Sequence, residues 1–157
     1  MRLKIEVNTS ENFVVRKLQK KPLYCTTDWF SGKAVAVTYE IEELLGTKLR
    51  ALYQRKKGRD LFDMAMALQN LPAFDPKTVV ICFEKYMGHQ GLKVTRAQYE
   101  ANLHLKMKEP AFLEDIVPLM APTIDSFDID AAYEMVKSVF LSLLPGDPWK
   151  GNREKRT

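Results

Sequence analysis

The chain has 157 residues, 46% of them hydrophobic, with a net charge of +4 and a pI near 9.0. That length and apolar content suit one domain, or one core with a satellite layer, and no apolar run is long enough to span a membrane. Cys25 and Cys82 are isolated, which fits a reducing cytoplasm better than a disulfide framework, and His89 and His104 lie far from any Cys or HExxH pattern, which argues against structural zinc. The modest positive excess favours anionic partners such as nucleotides or RNA.

Residues 2–8 alternate, with Leu3, Ile5 and Val7 opposite Arg2, Lys4 and Glu6, so a strand is expected from the start of the chain and a signal peptide is not. Two further strands are expected at 13–19 and 33–39, separated by a loop or hairpin-like excursion carrying Trp29 and Phe30. A strand opening at residue 2 in so small a sheet leaves exposed edges, so a preceding segment or a pairing chain is expected beside it.

From Glu40 onward the pattern is helical. A helix over 40–55 is expected to end at Lys56-Lys57-Gly58, with Gly58 in a left-handed cap, followed by a helix over 59–71 that stops at Pro72. Asp75 caps a third helix with Pro76 at its first position, and Thr95 with Gln98 forms a capping box for a helix over 96–108. Short helices are expected over 111–120 and about 131–144, the latter capped by Asp128 or Asp130 and ended by Pro145-Gly146. The fold class is therefore α+β: a small sheet followed by a helical bundle. The tail 151–157 reads as disordered.

The residues that could carry chemistry lie over 46–63. Lys48 and Arg55 are seven apart and share a helix face beside the Leu45, Leu49 and Leu52 stripe, while Arg59, Asp60 and Asp63 cluster in the next helix. The plain alternative is a solvated Arg59–Asp63 pair worth a few tenths of a kcal/mol. The Asp-x-Asp at Asp128-Ile129-Asp130 sits where a helix cap belongs and reads as a cap, not a metal motif.

The run Lys48-Leu-Arg-Ala-Leu-Tyr-Gln-Arg55 followed by Arg59-Asp-Leu-Phe-Asp63 resembles the AbiEii/AbiGii nucleotidyltransferase toxin family, with its K-L-x-A-L-x-x-R helix and R-D-x-x-D helix start. The resemblance implies a partial polymerase-β-like nucleotidyltransferase sheet followed by a C-terminal helical bundle. Residues 1–72 would form the nucleotidyltransferase-like part, 73–150 the helical region and 151–157 the basic tail. It also implies transfer of a nucleotide from an NTP, with RNA or tRNA as acceptor, Mg²⁺ as cofactor and an antitoxin as partner.

By resemblance, Lys48, Arg55 and Arg59 would bind substrate, Asp60 or Asp63 would serve the chemistry with Lys48, and Glu6 would stand beside the metal. The family's Gly-Ser turn and Asp-x-Asp strand have no counterpart in these residues, so the chain alone is expected to be catalytically weak, with the missing segment or an antitoxin as a partner. A non-catalytic alternative is a nucleotide- or RNA-binding or oligomerisation module using the basic face Lys48, Arg50, Arg55, Lys56 and Lys57.

Overall fold

The computed structural model describes residues 13–71, 73–119 and 127–151, so the strand expected over 2–8, Glu6 within it, and most of the basic tail lie outside the described residues. The fold is α+β, as expected. It divides into two compact units, residues 1–40 and 41–157.

In the first unit, β1 (Leu18–Thr27) and β2 (Phe30–Tyr39) form an antiparallel hairpin, in register from Leu18↔Tyr39 to Thr27↔Phe30. The segment read from sequence as a loop or hairpin-like excursion is a hairpin, strand on both sides of a two-residue turn, Asp28-Trp29, and residues 13–17 are not strand. The correction has a local cause. Tyr24 through Thr27 and Phe30 favour extended backbone, and Pro22 is tolerated because each strand of a two-stranded ribbon has an edge where no N–H is needed. The turn is fixed by Thr27, whose hydroxyl accepts from the Phe30 N–H at 3.1 Å.

In the second unit, six helices follow: α1 (Ile41–Gln54), α2 (Gly58–Asn70), α3 (Pro76–His89), α4 (Arg96–Lys106), α5 (Pro110–Glu114) and α6 (Ile129–Val139). Three caps stand as the sequence implies. Asp75 accepts from the Lys77 and Thr78 N–H groups, Thr95 and Gln98 close a capping box, and Asp128 accepts from the Ala131 N–H at 2.9 Å.

The expected helix over 111–120 is cut to α5 and a 3-10 turn at Val117–Leu119, because Pro118 has no N–H to continue the ladder. Likewise α6 starts earlier than expected and gives way to a 3-10 turn at Leu141–Leu143. One core joins Leu49 and Leu52 of α1 and Leu61 and Met64 of α2 to Phe83 of α3, Tyr99 of α4, Phe112 of α5 and Val136 of α6. Within this core α1 and α2 pack with the helices that follow.

Candidate functional site

The site forms where α1 hands over to α2 through Arg55-Lys56-Lys57. Gly58, expected as a left-handed cap, is instead the first residue of α2, and the glycines with positive φ are Gly91, Gly146 and Gly151. Its need for glycine is steric: a Cβ there would lie 2.0 Å from the Phe112 carbonyl oxygen and 2.9 Å from Ile116 Cγ1. Glycine lets the start of α2 rest on α5, and that contact aims the carboxylates of the first α2 turns back at α1.

Asp60 is fully buried on this first turn, where a carboxylate also complements the helix N-terminus. Its Oδ1 accepts from Arg55 Nη2 at 2.7 Å and lies 3.9 Å from Lys48 Nζ, while its Oδ2 has no hydrogen-bond partner among the described residues. One turn on, Asp63 Oδ2 accepts from Lys48 Nζ at 2.6 Å, with both side chains partly exposed. Four of the six residues read from sequence thus form a ladder of alternating charge across two helices.

Arg59 faces elsewhere. Its Nε and Nη2 donate to the two Asp115 oxygens at 2.9 and 2.7 Å, and its own N–H donates to Oδ2 at 3.2 Å. This fork raises the guanidinium pKa, chiefly through the hydrogen bond, and holds the Asp115 carboxyl well below the usual range. The Arg59–Asp63 pair weighed from helix spacing does not form, because Lys48 takes Asp63.

Three supporting residues escaped the sequence reading. Asp115 is one. The others are on α4: buried Lys106 donates to the Leu52 and Tyr53 carbonyls at 2.5 and 2.7 Å, and the Tyr99 hydroxyl donates to the Leu49 carbonyl at 2.7 Å. Since α1 has no basic residue in its last turn, Lys106 supplies the cation that its C-terminal carbonyls favour. The available signal was spacing, since Tyr99, Leu103 and Lys106 recur on one apolar face of α4.

Burial pushes the Lys106 ammonium down to about 8, against an opposing pull from Asp60. The folded pKa is below the unfolded one, so between about pH 8 and the normal lysine pKa the unfolded chain holds the extra proton and stability rises with pH. Urea titrations at pH 7.5 and 9.5 should show that rise, and Lys106→Met should abolish it. A flat profile in the unsubstituted chain counts against a buried, charged Lys106.

Beside the ladder runs a groove of about 410 Å³, lined by Ile41, Leu44, Leu45, Met66 and Ala67, with Lys48 and Asp63 among its lining residues. The described residues do not fit magnesium. No group of three or more His, Cys, Asp or Glu side chains converges among them, and Asp60 and Asp63 each already face a cation. Mg²⁺ takes several oxygens in octahedral array.

A family model described as "Nucleotidyl transferase AbiEii toxin, Type IV TA system" matches residues 1–135. The chain belongs to the AbiEii nucleotidyltransferase toxin family. No curated protein and no solved structure matches it. The AbiEii match takes in the hairpin, the whole α1–α2 ladder and the Asp115 fork, and it ends within α6. The family is one of nucleotidyltransferase toxins of type IV toxin–antitoxin systems, which suggests a nucleotide substrate and an antitoxin counterpart. Among the described residues, no helix is long and apolar enough to cross a membrane.

Proposed function

We propose that this AbiEii-family chain takes part in transferring a nucleotide from an NTP to RNA, with the Lys48–Asp63 pair as the triphosphate-contacting element. The observation that carries this reading is the 2.6 Å ion pair placed at a groove and left partly open to solvent. A triphosphate carries more charge than one carboxylate, so it can displace Asp63 as the partner of Lys48, and a lysine is a compact charge suited to a leaving pyrophosphate. Asp60 acts as a positioning residue that holds Arg55 toward the same side, and Arg59 supports the second motif by tying α2 to Asp115.

Bound magnesium would neutralise triphosphate charge, and Glu6 is the carboxylate that the family resemblance puts beside it; the family's Gly-Ser turn and Asp-x-Asp strand have no counterpart in this sequence. Residues 1–157 alone should therefore transfer poorly. Calorimetry with NTP should show Lys48→Ala weakening binding by about ten- to a hundredfold, the scale of one charged hydrogen bond, with little change in melting. Unchanged affinity would overturn the role of Lys48. Robust metal-dependent labelling of RNA by the chain alone would overturn the expected weakness.

A further inference from the structure

We propose that the β1–β2 hairpin is a single-stranded RNA-binding finger, in which Tyr24 and Trp29 stack on bases and Lys20 and Lys33 hold the flanking phosphates. The cross-strand register puts Leu18, Lys20, Pro22 and Tyr24 on one face with Val37, Val35 and Lys33, and Tyr24 stands directly opposite Lys33. Apolar and aromatic residues of this face lie open: Tyr24 is 76% exposed, Val35 64% and Val37 61%, and Trp29 at the turn is 87% exposed. Soluble proteins seldom leave such a strip bare unless it meets something.

Charge and shape select the occupant. Residues 13–40 carry five cations, Arg16, Lys17, Lys20, Lys21 and Lys33, against the two carboxylates Asp28 and Glu40, which favours a polyanion. The face is that of a narrow two-stranded ribbon, with exposed rings and ammonium groups interleaved. Rings beside cations are what unpaired bases and their backbone use.

The tip is also built to hold its shape. The Phe30 ring folds over Gly32 so closely that a Cβ there would meet its Cζ at 2.7 Å, and the Phe30 and Trp29 rings lie 6.1 Å apart. This proposal rests on the reading that RNA is the acceptor, but it concerns binding without NTP, so failure of the Lys48 role leaves its test intact.

The test is fluorescence anisotropy of the full chain with a short, labelled, mixed-sequence single-stranded RNA over a salt series. Trp29→Ala and Tyr24→Ala should each weaken binding about tenfold or more, without lowering the melting temperature. The Lys20→Ala/Lys33→Ala double variant should reduce the slope of log affinity against log salt by about 1.4, while the charge-matched Lys77→Ala/Lys85→Ala variant keeps it. RNA should quench indole emission in the unsubstituted chain but not in Trp29→Ala, and Trp29→Tyr should restore most of the affinity. Two results would overturn the proposal: no RNA binding at low salt, or aromatic variants that bind as tightly as the unsubstituted chain.

Discussion

Replacing Gly58 by alanine is expected to lower stability by about 3 kcal/mol, a fall of roughly 6–12 °C in melting temperature for a chain of this size. Helix propensity alone argues the other way, since alanine is favoured over glycine by up to about 1 kcal/mol. The steric term wins because the added Cβ would sit 2.0 Å from the Phe112 carbonyl, a backbone atom that no rotamer change can move. Relief requires α2 to lift from α5, which also strains the Arg59–Asp115 fork. Two other glycines calibrate the result. At Gly46, in the α1–α3 contact, a Cβ would lie 2.6 Å from Cys82 Cβ and 3.0 Å from the Phe83 nitrogen, so Gly46→Ala should also destabilise. At Gly88, in α3, nothing lies within 4 Å, so alanine should be neutral or slightly stabilising. If Gly58→Ala melts with Gly88→Ala, the close approach at α5 is wrong.

What the sequence made legible was local. Asp75, Thr95 with Gln98, and Asp128 could be read as caps because a cap and its N–H partners lie within three residues of each other. Lys48, Arg55, Asp60 and Asp63 could be grouped because a short turn must bring two consecutive helices together. The same logic misled at Gly58, where a glycine after a basic run fits a left-handed cap equally well, and only the position of Phe112 shows that the requirement is space. It misled again at Arg59, whose partner four residues away was plausible, whereas its actual partner is 56 residues distant. The hairpin was legible only as one of two readings, and its strands were cut short at 13–19 and 33–39, because Pro22 argues against a strand when the number of neighbours is unknown. Lys106 stood on an apolar face and could have been found, but the α1 carbonyls it serves are set by tertiary packing.

Asp60→Asn is expected to lower stability by about 2–3 kcal/mol, less than the 3–5 of a fully buried broken pair. The Arg55 side chain is 56% exposed and that of Lys48 37%, so water screens what those two cations lose. The buried cation that suffers is Lys106, whose ammonium Asp60 helps to keep charged. Without that carboxylate the Lys106 pKa should drop further, and the gain in stability with rising pH should begin at lower pH than in the unsubstituted chain. A double-mutant cycle with Lys106→Met isolates the coupling: the paired loss should be smaller than the sum of the two single losses. Lys48 keeps its closer partner Asp63, at 2.6 Å against 3.9 Å to Asp60, so NTP affinity should fall far less in Asp60→Asn than in Lys48→Ala. If the two variants lose affinity equally while Asp60→Asn keeps its stability, Asp60 touches the nucleotide itself, and the buried carboxylate is part of the binding surface rather than its support.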